Sequence, residues 1–590
     1  MLLGVLFASL NTVSVADFGA KPNSTDDATI SVARAIAAAK ANTTIEFPAG
    51  DYHFYRDHGF ERDLYLSNSD NVNPRRIAIL IEKRKHLRLA GKGAHLIFHD
   101  RVIPFAIVQS EDISLSGFTV DWQRPLMSQA TVRASDHTGL TLDIDAARYP
   151  YVVENGQLFF TDRTWKRRPW GIMEFDPKTK GVAYQTGDAG FTDGNWNQAK
   201  VSELAPGRVR MDYPSQRGPA VGHVLVFRHG SRDHAGTFIG DSKDIRLTNM
   251  AYRHTSGLGV LAQYTENLTF NNVEVAPDPK SDRLFAGHDD GFHISNCKGH
   301  VLVEGCRFEG LMDDPINVHG TAVRVIAKIS PDTVRCRFMH DQSVGLRFGD
   351  VGDTVSFIDH DTMLSRTTGQ LKAIRRISVE EFEVTFQTPI PSSLNVNDAL
   401  ENLTWTPSLT VRKSEFGAVR ARGLLISTPG NVVIEDNLFR SSGAAILIAG
   451  DTNYWFESGA VTDVMIRRNR FENCNTSSYQ FGDAVISIHP EIPKLGDRPF
   501  HRNIRIEGNT FLRFDAPVLW AKSVAGLTFS GNIIRPSTAY RPWHPNHDAL
   551  TFIGCESVRV ERKKIEPNFI GWTTRIEGGK PETFHVEGTP

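Results

Sequence analysis

Apolar residues along much of this chain recur in a short unit, not in long helical stripes. The segments VLVEGCRF (301–308), VVIEDNLF (432–439), VMIRRNRF (464–471), IRIEGNTF (504–511) and LTFSGNII (527–534) share one plan. Their first and third positions are apolar, a polar two-residue step follows, and a second short strand closes the unit. IRLTNMAY (245–252) and LTFNNVEV (268–275) follow the plan more loosely. Alternation with period two reads as β-strand, and the polar step as a tight bend. Units begin 23 residues apart at Ile245 and Leu268, and again at Ile504 and Leu527; insertions lengthen the spacing elsewhere. A period of this length without helix predicts one coil of a parallel β-helix per unit. A lone coil cannot bury its apolar side, so stacking supplies the core. The sixth position is Asn437, Asn469, Asn509 and Asn532 in four units. Stacked there, asparagines would bond backbone groups of the next coil that burial would otherwise leave unsatisfied. Cys306 fills the same slot, which predicts a buried structural cysteine.

Two stretches, roughly 121–225 and 321–405, carry alternating strands such as GLTLDIDA and FEVTFQTP without the coil period. They predict two β-barrel-like insertions from coil loops, where insertions commonly wall a binding face. Near the start, STDDATISVARAIAAAKA offers helix N-cap residues, then Ile30, Ala33 and Ile36–Ala37 on one face. TTIEFPAGDYHF then reads as strand, turn, strand. A helix over the first coil would block edge-to-edge pairing. The expected fold is all-β: a right-handed parallel β-helix with two β-barrel-like insertions and an N-terminal capping helix. The expected units are residues 16–120 as capped coils, 121–225 as the first insertion and 226–320 as coils. Residues 321–405 follow as the second insertion, 406–570 as coils and 571–590 as a tail. Residues 1–15, MLLGVLFASLNTVSV, read either as the apolar core of a secretory signal lacking the usual leading Lys or Arg, or as a first strand. The signal reading puts cleavage near Val15–Ala16 and the protein outside the cytoplasm, secreted or periplasmic.

Composition narrows the partners. With 23% charged and 40% hydrophobic residues and a formal net charge of -2, the 590-residue chain is globular and near neutral. Nucleic acid as the main partner would require a concentrated positive field, which EKRKH and ERKKI do not supply. No apolar run approaches the roughly 20 residues of a membrane span. Cys297, Cys306, Cys336, Cys474 and Cys555 are odd in number and scattered, so they form neither a disulfide framework nor a zinc site.

The stretch with the strongest chemical content is LMDDPINVHG (311–320), preceded one coil earlier by HDDGFHIS (288–295). Placing Phe292 and Ile294 inward with Ile316 and Val318 sets an offset of 24 residues. That register stacks Asp290 with Asp314, His293 with Asn317, and Ser295 with His319, all facing out. Adjacent parallel strands lie about 4.8 Å apart, so Asp290 and Asp314 form a close pair while Asp313 projects elsewhere at the bend. A two-plus-one grouping suits an inverting glycosidase, whose acid and water-holding base stand roughly 6.5–9.5 Å apart. Asp313 fits the acid, and Asp290 with Asp314 the base; crowding would raise at least one pKa. Two bland readings stand beside this one: carboxylates capping turns, and a cation site of the kind a lyase uses.

The same face carries Arg420 and Arg422 in RARGLLIST, and Asp451, Tyr454, Trp455 and Glu457 in GDTNYWFESG. An aromatic ring stacks on the apolar face of a sugar, and charged forks take its hydroxyls. The expected substrate contacts are His293, Asn317, His319, Arg420, Arg422, Trp455 and Glu457, with His489 and Glu491 weaker. His229, Arg232 and His234 in FRHGSRDHAG give no coherent metal-ligand spacing, so neither metal nor cofactor is expected.

HDDGFHIS…LMDDPINVHG, RARGLLIST, GDTNYWFESG and FRHGSRDHAG, specific as four motifs matched in sequence order, together resemble glycoside hydrolase family 110, bacterial α-1,3-galactosidases that cleave blood-group B antigens. The resemblance runs from about Ala16 to about Ile570. The opening VADFGAKPNSTDDATISVARAI is shared more broadly with polygalacturonase-like and pectate-lyase-like β-helices. The family resemblance implies a parallel β-helix with β-barrel insertions, an inverting mechanism, no metal and a glycan substrate ending in α-galactose. The polygalacturonase layout, by analogy, makes Asp313 the acid and Asp290 with Asp314 the base, with Asp289 a competing neighbour. Competing functions are a polysaccharide lyase, an endo-glycanase of the polygalacturonase type, and a non-catalytic carbohydrate-binding β-helix.

Overall fold

A computed structural model describes residues 11–188, 196–213, 217–477, 482–561 and 573–587. The repeat units stack in the register their apolar positions specify. Ile113, Ile245, Leu268, Val301, Leu409, Val432, Val464, Ile504, Leu527 and Val558 are successive parallel partners along one ladder. A second ladder runs through Ile103–Val108, Thr237–Gly240, Val260–Gln263, Phe292–Ser295, Ile316–Thr321, Leu424–Ser427 and Ile446–Ile448, and onward to Thr574–Glu577. The inward residues of both ladders form one continuous apolar core. Phe308, Phe416, Phe439, Phe471 and Phe511 stack through it with ring centroids 4.5–5.3 Å apart.

The asparagine slot is a hydrogen-bonded ladder. Asn469 Oδ1 accepts from the Asn437 N–H and side-chain amide, both at 3.0 Å, while Asn469 Nδ2 donates to the Ile434 carbonyl at 2.9 Å. Asn509 and Asn532 repeat the pattern, and Ser414 continues it to Cys306. Cys306 is buried in this slot, and all five cysteines are buried and unpaired. Asn469→Ala would strand the Asn437 N–H and the Ile434 carbonyl in the core. It is expected to cost about 3 kcal/mol of stability, measured as a shift in chemical-denaturation midpoint at constant slope.

The capping helix forms at Thr29–Ala38 and packs on Arg75–Glu82 and on the turn Val15–Phe18. Its buried face is Thr29, Val32, Ala35 and Ile36, whereas Ile30 is 44% exposed. The buried face is one residue off the expected one because Thr29, Val32, Ala35 and Ile36 are the residues turned against the rest of the fold; Asp27 Oδ1 accepts from the Thr29 N–H at 2.8 Å just before the first turn. Asn11–Ser14 pairs in parallel with Thr43–Glu46, so these residues belong to the first coil, and the boundary at residue 15 falls after a strand. The expected signal segment otherwise lies outside the described residues. At the other end, Thr574–Glu577 pairs with Leu550–Ile553, so coil stacking continues past the boundary at 570.

Both insertions are antiparallel and have their own cores. The first, from Met127 to Arg228, is a seven-stranded sheet with a three-stranded one beside it. The second, from Val323 to Asn402, is a closed six-stranded barrel. No helix of the described residues is long and apolar enough to cross a membrane.

Candidate active site

Phe292 pairs with Ile316, His293 with Asn317, Ile294 with Val318 and Ser295 with His319. The two Asp-Asp bends precede these strands, so Asp290 and Asp314 occupy equivalent places on adjacent coils. Gly291 permits the close stacking: a Cβ there would meet the Pro315 carbonyl oxygen at 2.6 Å and the Phe308 ring at 2.8 Å.

One carboxylate oxygen each from Asp290, Asp313 and Asp314 lies within 4.8 Å of the others. The wide separation expected of Asp313 is therefore absent. Arg232 draws the group together: its Nη2 is 3.1 Å from Asp290 Oδ1 and 3.4 Å from Asp313 Oδ2. Asp314 accepts from the Arg422 N–H at 3.0 Å and from the Arg422 guanidinium. Asp290 Oδ2 lies 2.6 Å from His293 Nδ1. Asp289 is held by His288 Nδ1 at 3.0 Å and faces Arg232 and Arg228 at 3.7 and 3.6 Å. These cations outweigh its burial and hold its carboxyl far below the usual range.

Exposure separates the members of the cluster. Asp290 and Asp314 are buried, whereas the Asp313 side chain is 20% exposed. Burial first, then the charge of Asp313, pushes Asp290 well above its ordinary pKa despite Arg232. Burial raises Asp314 to about 8, against the pull of Arg422 and with the help of Asp313 and Asp290. The three guanidinium-held carboxyls already have countercharge where a divalent cation would have to sit. That donor set fits a proton-sharing cluster better than a metal centre.

A cavity of about 810 Å³ opens over this cluster. The coils supply its floor, and Trp170 and Arg228 of the first insertion form one wall. Gln342 of the second insertion, Asn68 and Asp70 of an N-terminal loop, and Tyr454, Trp455 and Glu457 complete it. Trp455 is 39% exposed and lies 4.4 Å, centroid to centroid, from His340 of the second insertion. Asp451 is spent on the loop backbone, accepting from Asn453, Tyr454 and Trp455 N–H groups. Glu457 accepts from Asn68 Nδ2 at 2.5 Å and from Asn317 Nδ2 at 3.3 Å. Burial would raise its pKa, but His319, His293 and the two amides outweigh it and hold the carboxyl low.

Among the expected substrate contacts, Asn317, Arg420, Arg422, Trp455 and Glu457 line the cavity. Arg420 is already engaged by Asp188 and the Met312 carbonyl, so it braces the wall. His293 and His319 do not line the cavity. They face out from the coil, but they are covered by the strand Glu457–Ser458, which pairs with Gly320–Thr321, and by Ser67, which bonds Ser295. These layers, contributed by other segments of the chain, keep both histidines out of the cavity. His489 instead stacks on Trp520 and bonds Asp483, away from the cavity, while Glu491 reaches it. His229 is buried against Phe160 and bonds Ser128, and His234 bonds Asp233.

The buried histidines form a chain that ends on Asp290. His319 Nδ1 bonds the Gly320 carbonyl at 2.7 Å, so that nitrogen must carry the hydrogen. His319 Nε2 lies 2.9 Å from His293 Nε2. Burial, then His319, pushes the His293 pKa well below 6.5, so His293 is neutral and one of its ring nitrogens carries a lone pair. Its Nδ1 makes the short contact to Asp290, whose own burial favours the protonated carboxyl. Sequence reading missed this chain, and missed Arg232 as its neighbour, although FRHGSRDHAG marked the right segment.

Comparison with known proteins identifies relatives along nearly the whole chain. The family description GLAA-B beta-barrel domain I matches residues 128–225, and GLAA-B beta-barrel domain II matches residues 333–400. Alpha-1,3-galactosidase B of Bacteroides thetaiotaomicron is 44% identical, over 99% of this chain and 95% of the relative. Alpha-1,3-galactosidase A of Bacteroides fragilis is 36% identical over 93% and 92%. Alpha-1,3-galactosidase B of Bacteroides fragilis is 38% identical over 92% and 95%.

Proposed function

This chain belongs to the α-1,3-galactosidases, glycoside hydrolase family 110, and from that premise we propose that its buried carboxyl cluster cleaves terminal α-1,3-linked galactose with inversion. The observation that carries the mechanism is the unequal exposure of the three aspartates. A retaining enzyme needs two carboxyls in direct contact with the sugar, one as nucleophile and one as acid. All three line the cavity, but the Asp313 side chain is the most exposed, while the oxygens of Asp290 and Asp314 are held by His293, Arg232 and Arg422. The oxygens lie within 4.8 Å of one another, closer than the roughly 6.5–9.5 Å usual for an inverting pair, so this holding, and not separation, is what favours inversion. An inverting base acts through water, so a buried pair can serve.

Proton bookkeeping closes on this geometry. At rest the proton is on Asp290, whose burial favours the neutral carboxyl, and the Nδ1 lone pair of neutral His293 accepts from it. Substrate binding shifts it within the cluster to Asp313, which delivers it to the glycosidic oxygen as the bond to C1 breaks. Ionised Asp290 then faces the lone pair of His293 Nδ1, which makes it a stronger base. With Asp314 it orients water and takes its proton as the new C–O bond forms, restoring the resting state. The three groups titrate as a set.

The alkaline limb of kcat/KM should fall as the cluster loses its shared proton, far above the ordinary aspartate range because burial raises Asp290 and Asp314. A carboxyl whose folded pKa exceeds its ordinary 3.8 stabilises fully below that value and loses the contribution as pH rises through about 8. Stability should therefore decline as pH rises from 3.8 to about 8 and level off above it. His293→Gln offers Asp290 an N–H donor in place of a lone pair, which favours the carboxylate. It should shift the alkaline limb to lower pH and cut kcat by about 10–100-fold; an unmoved profile would make His293 merely structural.

The test of the activity is a panel containing the B-type trisaccharide, linear α-1,3-digalactoside and polygalacturonate. Free galactose should appear from α-1,3-linked ends, undiminished by chelator. An unsaturated, ultraviolet-absorbing product, or no galactose from any member, would sink the proposal.

A further inference from the structure

A second cavity, of about 320 Å³, backs onto the catalytic one and is lined by five arginines against one carboxylate. They are Arg56, Arg75, Arg76, Arg101 and Arg167, facing Asp100. Three of the five are accounted for. Arg75 bonds the Leu64 and Asp70 carbonyls, Arg76 pairs with Glu61 at 2.5 Å, and Arg101 pairs with buried Asp233. Asp100 is occupied by the Arg101 N–H at 2.7 Å and by the Thr164 hydroxyl. Among the described residues neither Arg56 nor Arg167 forms a carboxylate ion pair; Arg167 donates to Ser231 Oγ at 2.6 Å and is attracted by Asp100 only at longer range. Burial, then the proximity of Arg167 and, more weakly, Arg56, lowers the Arg101 pKa to about 10. Guanidiniums gathered in a cleft repel one another, and an oxyanion between them would relieve the repulsion. Their planar forks suit sulfate and carboxylate oxygens.

The cleft is too large for a bare tetrahedral anion, and Val72, Pro74 and Trp165 give it an apolar wall. Segment 70–75 and loop 230–234 contribute to both cavities: Asp70 and Ser231 line the catalytic one, Arg75 and His234 the cleft. We propose that this cleft is a second glycan site, independent of the galactose pocket, that binds a sugar bearing an oxyanionic group, a sulfate ester or a uronate carboxylate. It holds the anion between Arg56 and Arg167 and the ring against Trp165.

Titration calorimetry on the full chain tests this, with galactose present in excess to occupy the catalytic cavity. The titrants are galactose 6-sulfate, galacturonic acid and sodium sulfate. Both anionic sugars should bind saturably and weaken as salt rises. Arg56→Gln and Arg167→Gln should each weaken binding at least about tenfold, since each removes a charged hydrogen-bonding partner. Arg56→Gln should leave hydrolysis of neutral α-1,3-digalactoside unchanged, which also shows that the variant folds. Sulfate binding as tightly as the sulfated sugar would mean a free-anion site and overturn the glycan assignment. Absence of saturable binding, or affinities unaltered in both variants, would overturn the site.

Discussion

Asp313→Asn should reduce kcat on an α-1,3-galactoside by about 10³-fold or more, within the range of losses when a positioned general acid is removed. The amide cannot donate a proton to the leaving oxygen with the acidity required. Asp313 is half-buried at a bend, and among the described residues its ion pair is with Arg232, so the fold should persist. KM should change little, because the variant keeps the shape of the cavity. A substrate with a good leaving group, such as an aryl α-galactoside, depends less on acid assistance, so its kcat should fall less. Equal losses on both substrates would remove Asp313 from the acid role and leave it a positioning group.

Arg232→Gln should have the second largest effect, and through two routes. The guanidinium contacts Asp290 and Asp313 and faces Asp289, so its removal leaves buried carboxyls without countercharge. Breaking a buried ion pair from one side typically costs about 3–5 kcal/mol. That should appear as a marked drop in melting temperature. The carboxyls would also hold their protons more tightly, so the base would be neutral over more of the pH range. The acidic limb of kcat/KM should move to higher pH, with kcat down about 100-fold. Destabilisation with an unmoved pH profile would show that Arg232 only braces the site. Arg232→Lys keeps the charge and should recover part of the stability, but it loses the fork that reaches two carboxyls.

The parts of the site legible from sequence were those carried by the coil period. Inward Phe292, Ile294, Ile316 and Val318 fixed the register, and with it the stacking of Asp290 on Asp314. The asparagine ladder followed from the same periodicity, as did the places of the two insertions. What periodicity could not supply was the second layer. Arg232 lies on the loop returning from the first insertion, and no repeat relates it to Asp290 or Asp313. Asn68 comes from a loop far earlier in the chain and meets Glu457 only after folding. For the same reason His293 and His319, correctly placed on the outer face, could be taken for substrate contacts. Alternation reports which side of a sheet a residue occupies, not whether another segment later covers it. The compact cluster was missed because a neighbouring Asp at a bend can turn either way, and Arg232 decides which.

The most direct measurement is proton NMR of the galactose anomer first released from an α-1,3-galactoside, followed before mutarotation scrambles it. Inversion through a water held by Asp290 and Asp314 predicts β-galactose first, with the α-anomer growing in later. Initial appearance of α-galactose would contradict this account, because it would require a second carboxyl to attack the sugar directly from the buried cluster.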